Sequence, residues 1–171
     1  MRFTKELRRD EGLTVGRLDT RYTGADRDSV GESFEYDPSY AAIQGPYTAT
    51  LNDYVRRELA FESDLPYEIL TDRVRPWSYK KFQNAYVNVA DTLRKAMNMN
   101  PYLRVLVANG FYDLATPYLA TEYTFNHLGL PAGREEEIEM TYYEAGHMMY
   151  LHMPSLAQLS DDLATFVEEA K

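Results

Sequence analysis

The sequence predicts an α/β fold: a parallel strand–helix–strand–helix unit over residues 101–171, preceded by a mainly helical, loop-rich segment over residues 1–100. Three observations predict it. Arg104-Val105-Leu106-Val107-Ala108-Asn109 is a short apolar run ending at Gly110, of the kind covered on both faces in a parallel sheet. Thr116-Pro117 offers a hydroxyl cap and a proline at the first helical position, opening a helix that runs to about Gly129. A second β-like stretch, roughly Ile138 to Tyr143, leads to a closing helix with Leu156, Leu159, Leu163, Phe166 and Val167 as its buried stripe. Two strands joined by a helix of this length imply a parallel pair with a right-handed crossover.

The first hundred residues are less regular. Met1 to about Asp37 reads as a short basic helix followed by loops punctuated by Gly12, Gly16, Gly24 and Gly31. Asp37-Pro38 begins a turn and Gly45-Pro46 marks another break. From Tyr47 an amphipathic helix is expected, with Tyr47, Leu51, Tyr54, Val55 and Leu59 on one face. Pro66 and Pro76 bracket an irregular stretch that holds the only tryptophan, Trp77. Tyr86, Val89, Ala90, Leu93 and Met97 follow helical spacing until Asn100-Pro101 stops the chain. Gly133 and the acidic run Glu135 to Glu137 lead into the second strand, and Ser155-x-x-Gln158 has the form of a capping box.

Composition narrows the chemistry. At 171 residues the chain is long enough for one core, burying about two thirds of its unfolded surface. A net charge of −9 leaves no basic field for nucleic acid or an anionic membrane. Fifteen tyrosines suggest large surfaces that end at polar atoms. The absence of cysteine removes thiol catalysis, disulfides and thiolate metal sites. No apolar run approaches the roughly 18 residues of a spanning helix, so a soluble protein is expected. The compartment stays open, a secreted or periplasmic full-length protein included.

Two segments concentrate the chemistry. Asn109-Gly110-Phe111-Tyr112-Asp113-Leu114-Ala115-Thr116-Pro117 and Tyr143-Glu144-Ala145-Gly146-His147-Met148-Met149-Tyr150 each place one candidate catalytic side chain on a Gly-marked bend after a β-like run. Functional groups in open α/β sheets sit just past the C-terminal strand ends, which is where Asp113 and His147 fall. A buried Asp that accepts from an imidazole N–H fixes the tautomer and stabilises the imidazolium. The imidazole can then take a proton from a hydroxyl and return it to a leaving amine. Acid before histidine is the chain order of the last two members of an α/β-hydrolase triad. The plain alternative makes Asp113 a turn or cap residue and His147 a packed polar side chain.

The run Leu106 to Pro117 and the segment Ala145-Gly146-His147-Met148-Met149-Tyr150 resemble the acid and histidine motifs of the serine carboxypeptidase family, its bacterial branch in particular. Val15-Gly16-Arg17-Leu18-Asp19-Thr20-Arg21-Tyr22-Thr23-Gly24 and Asn52-Asp53-Tyr54-Val55-Arg56-Arg57-Glu58-Leu59 are similar to further segments of that branch. The likeness spans nearly the whole chain in the order of the family's C-terminal portion. It implies the C-terminal part of an α/β-hydrolase fold, with residues 1–100 belonging to the insertion or cap. It further implies a peptidase that releases residues from peptide C-termini without metal or organic cofactor. Asp113 and His147 would be its acid and base, and Met148 would help to line the leaving-group pocket.

The family's nucleophile lies in a Gly-Glu-Ser-Tyr-Gly turn upstream of the acid. Here Gly31-Glu32-Ser33-Phe34-Glu35 carries Glu35 where a nucleophile elbow needs a small residue, and no β-rich run precedes Gly31. Ser33 is therefore not expected to act, and one donor of the oxyanion hole goes with it. The chain reads as the acid–base half of a serine hydrolase, inactive alone, whose partners are a peptide substrate and the missing N-terminal part. A noncatalytic binding or assembly module reusing the half-fold is the alternative. An unpaired strand edge would make the isolated chain prone to self-association as a homo-oligomer.

Other candidates are weaker. His147, His152 and Glu144 lack the spacing of a metal site. His127 suits a helix C-terminus. Trp77, Tyr79 and Phe82 are expected to pack between insertion and sheet rather than to line a cleft. Arg17, Asp19 and Arg21 suit an ion-pair network anchoring the N-terminal loops.

Overall fold

The computed structural model describes residues 2–33, 35–68 and 71–169, so Phe34 of the Ser33 segment lies outside the described residues. Helix and strand are mixed, with one small antiparallel and one small parallel sheet. The chain packs as two units, Met1–Ser39 with Asn88–Lys171, and Tyr40–Val87.

In the first unit α1 (Arg2–Glu6) precedes β1 (Thr14–Val15) and β2 (Thr23–Gly24), which pair antiparallel where the sequence suggests only loops. Lys5 and Asp26 form an ion pair of 2.8 Å with side chains 4% and 2% exposed. Lys5 Nζ also donates to the carbonyls of Asp28 (2.6 Å) and Val30 (3.3 Å), so one cation holds the loop beyond β2. The expected division at residue 100 fails for this region. Residues 1–39 pack with the strand-bearing half, because Thr20 N–H donates to Tyr112 and Leu114 N–H donates to Arg17.

After α3 (Ala90–Met99) come β3 (Val105–Gly110), α4 (Tyr118–Asn126), β4 (Ile138–Tyr143) and α5 (Met153–Glu169). The predicted parallel pair is present: β3 and β4 run in register from Val105↔Ile138 to Gly110↔Tyr143. Arg134 closes the end of α3, donating to the carbonyls of Met97 (2.8 Å), Asn100 (3.3 Å) and Pro101 (2.7 Å), where a helix leaves its last acceptors unpaired. α3 starts later than its apolar spacing suggests. Tyr86 and Val89 precede it and stay exposed, and Asn88 Oδ1 accepts from Ala90 N–H at its start.

Neither strand nor closing helix is as covered as the sequence predicts. Val105, Leu106 and Val107 are half-buried and Ala108 is exposed, because among the described residues β3 pairs with β4 alone. Along α5, Leu159 and Phe166 are half-buried while Leu156, Leu163 and Val167 are exposed, since two strands are too narrow to cover the stripe. The expected capping box is also displaced. α5 begins two residues before Ser155, whose buried hydroxyl pairs with His152 Nδ1 at 2.8 Å, and Gln158 donates to the Tyr142 carbonyl.

The second unit contains most of α2 (Pro38–Arg57), which begins well before Tyr47 and continues through Pro46. Asp37 starts it, its Oδ1 accepting from Ser39 N–H at 3.0 Å with Pro38 at the first helical position. Thr48, Thr50 and Asn52 bond back to the carbonyls of Gln44, Pro46 and Thr48, so polar side chains brace the turns around the proline. Within this unit Trp77 and Tyr79 are exposed (69% and 60%) and Phe82 is half-buried.

The fully buried Tyr143 ties β4 to α5. Its phenol donates to Asp162 Oδ2 at 2.8 Å and lies 2.9 Å from Thr141 Oγ1; burial and the Asp162 carboxylate push its pKa up to about 12. Tyr143→Phe keeps the ring and removes the donor to a carboxylate. It should lower unfolding free energy by about 1.5–3 kcal/mol in urea titrations. Asp162→Ala should be markedly non-additive with it in a double-mutant cycle.

Candidate active site

The ends of β3 and β4 bring the acid and histidine loops together. Past the strands the ladder continues: Phe111 N–H donates to the Tyr143 carbonyl at 3.1 Å and Tyr112 N–H to Ala145 at 3.0 Å. Both glycines serve close approach rather than turning. A Cβ on Gly110 would sit 2.3 Å from the Gly146 carbonyl oxygen, and one on Gly146 would sit 2.3 Å from that of Leu18.

On this frame Asp113 Oδ2 lies 2.8 Å from His147 Nδ1. Asp113 is buried, its side chain 4% exposed, while that of His147 is 44% exposed. Asp113 Oδ1 accepts from the N–H groups of Ala115 (2.7 Å) and Thr116 (3.0 Å), and Oδ2 also accepts from Thr116 Oγ1 (2.5 Å). Burial alone would raise the Asp113 pKa. The hydroxyl and N–H of Thr116, His147 and the N–H of Ala115 outweigh it and hold the carboxyl below its ordinary value. An ionised carboxylate is acceptor-only, so Nδ1 carries the proton of this contact. In the neutral ring that is the tautomer a general base uses.

The structure relocates Thr116. Its hydroxyl does not cap α4, whose first turn has no side-chain cap at Pro117; it spends its proton on Asp113 and lies 3.2 Å from His147 Nδ1. Sequence reading missed this third member, because a Thr-Pro pair before a helix looks like a cap. Met148 follows His147 directly and is half-buried.

A turn from the N-terminal region closes the site from below. Leu18 accepts from His147 N–H at 2.7 Å, and Asp19 Oδ2 accepts from Gly146 N–H at 3.1 Å. Arg21 grips Asp19 through Nε and Nη2 (3.0 and 2.7 Å), donates to the Glu144 carbonyl (2.9 Å) and stands 4.9 Å over the Tyr112 ring. The expected ion-pair network exists for Asp19 and Arg21. Arg17 enters through its backbone, donating to the Asp37 carboxylate.

No family model, curated protein or solved structure matches the chain. The remaining candidates stand apart from the pair. Ser33 is exposed and borders a depression lined by Lys5, Asp26 and Gly31, and the ring bonds of His147 run to Asp113 and Thr116. His152 is engaged by Ser155. His127 caps the end of α4, donating from Nδ1 to the Tyr123 carbonyl at 2.6 Å. Among the described residues no cluster of three or more His, Asp or Glu side chains could hold a metal ion, and no helix is long and apolar enough to cross a membrane.

The lowered Asp113 pKa fixes a pH dependence. The folded value lies below the unfolded one, so the stabilisation is present above the ordinary carboxylate value of about 3.9 and is lost as pH falls through the folded value. Asp26, held down first by its bond from Lys5, acts in the same direction. Asp113→Asn should therefore flatten, without abolishing, the loss of urea stability on acidification below about pH 4.

Proposed function

We propose that this chain supplies the acid and base of a serine-type carboxypeptidase, on the C-terminal part of an α/β-hydrolase fold. The observation that carries the reading is the 2.8 Å contact between Asp113 Oδ2 and His147 Nδ1 across the ends of adjacent parallel strands. The likeness of both loops to the family's motifs supplies the reaction class. His147 Nε2 takes the proton of a serine hydroxyl as it attacks the terminal peptide carbonyl, and returns it to the departing amino acid. Asp113 stabilises the imidazolium and keeps its proton on Nδ1. The hydroxyl comes from a segment outside these residues, since Ser33 has neither the strand nor the small residues of a nucleophile elbow. Met148 is assigned to the wall of the leaving-group pocket.

The isolated chain should give no turnover of a blocked dipeptide at acidic or neutral pH. Joined to a polypeptide that carries a Gly-x-Ser-x-Gly turn, it should release the C-terminal residue, and Asp113→Asn should lower kcat about 10⁴-fold. Equal turnover in His147→Ala would sink the reading. Failure of every such combination would leave the noncatalytic assembly module in its place.

Among the described residues β3 pairs with β4 alone, and its open edge carries a second expectation, because unpaired strand edges and exposed apolar side chains favour association. The isolated chain should show concentration-dependent self-association in sedimentation velocity runs; a strict monomer throughout would count against it.

A further inference from the structure

We propose that Asp19 and Arg21 are positioning residues for the His147 imidazole, acting through the backbone of residues 144–147; this rests on reading Asp113 and His147 as a catalytic pair. The imidazole itself is nearly half exposed, and its Nδ1 edge is held by Asp113 and Thr116. Its backbone is fixed as well. The Glu144 carbonyl accepts from Arg21 Nη1, the Ala145 carbonyl from Tyr112 N–H, Gly146 N–H donates to Asp19 Oδ2, and His147 N–H donates to Leu18.

Asp19 is buried to 9% exposure and would be an uncompensated charge without Arg21. Three contacts between the two side chains remove that cost and aim the second carboxylate oxygen at Gly146. The arginine is suited to the task by its fork. One edge engages the carboxylate while the remaining nitrogen reaches the Glu144 carbonyl, a combination that a single ammonium cannot reproduce. The same guanidinium lies over Tyr112, next to Asp113, so it touches the acid loop as well. Gly146 adds the steric half of the clasp: any side chain there would collide with the Asp19 Cβ, at 2.5 Å from an added Cβ. Moving either loop by a fraction of an ångström changes the Asp113–His147 distance, on which tautomer and basicity depend.

The test reads the histidine directly in the full chain, without any nucleophile. The Nδ1 proton of His147, identified by its loss in Asp113→Asn, is followed by NMR for its exchange with water. Amide exchange in β3 reports global stability. Arg21→Ala and Asp19→Ala should accelerate Nδ1–H exchange about ten- to a hundredfold while the β3 amides change far less. Arg21→Lys, which keeps the charge without the fork, should fall between wild type and Arg21→Ala. Unchanged Nδ1–H exchange in the alanine variants would overturn the positioning role and leave the catalytic pair standing. Acceleration equal to that of the β3 amides, or unfolding of the lysine variant along with both alanine variants, would assign the clasp to general stability and likewise overturn it. Absence of any Asp113-dependent Nδ1 proton in the wild type would remove the pair itself, and the clasp's role with it.

Discussion

The parallel register of β3 and β4 is the constraint on which the site depends. Pairing Gly110 with Tyr143 brings two chain exits side by side. The ladder then continues two residues beyond both strands through Phe111 and Tyr112, so the exits leave the sheet as a pair rather than diverging. A slip of one residue would turn one strand's side chains to the opposite face and part Asp113 from His147. Tyr143 guards that register from the far side. It is the last residue of β4, fully buried, and its phenol is anchored on α5 through Asp162.

Register places the loops, and a second layer sets the chemistry. Asp113 collects four donors, two of them from one residue, Thr116. Its negative charge is therefore kept in a buried position where desolvation alone would favour the neutral acid. A carboxylate that stays ionised can only accept, which places the proton of the contact on the imidazole Nδ1. Burial of Asp113 and exposure of His147 are thus parts of one arrangement: the first protects the charge, and the second leaves the imidazole accessible.

Much of this is legible in the sequence because it depends on local pattern. The apolar run at Val105–Gly110, the strand at Ile138–Tyr143 and the loops carrying Asp113 and His147 lie where periodicity and glycine placement put them. Features set by long-range packing were less legible. Nothing local says that Thr14–Val15 pairs with Thr23–Gly24, or that Leu18 and Asp19 reach the histidine loop more than a hundred positions away. Gly110 and Gly146 read as marks of bends, yet the space around them is what excludes a side chain. Thr116 read as a cap because its neighbour is proline, while the stronger acceptor, a buried carboxylate, took its hydroxyl. Pro46 read as a break, yet α2 passes through it, with side-chain bonds from Thr48 and Thr50 back to the carbonyls of Gln44 and Pro46.

The same contrast explains where precision in the site resides. The side chain proposed to transfer the proton is nearly half exposed, and a free imidazole on a surface loop would sample many rotamers. Here the orientation is imposed from the backbone upward: four successive residues before and at the histidine each have a main-chain group tied to another segment. Because those ties come from the N-terminal turn as well as the sheet, the geometry of the pair is a property of the whole first unit. An amino-acid change at Asp19 or Arg21 acts on the distance between Asp113 and His147 without touching either, which is why a residue remote in sequence belongs to the description of the site.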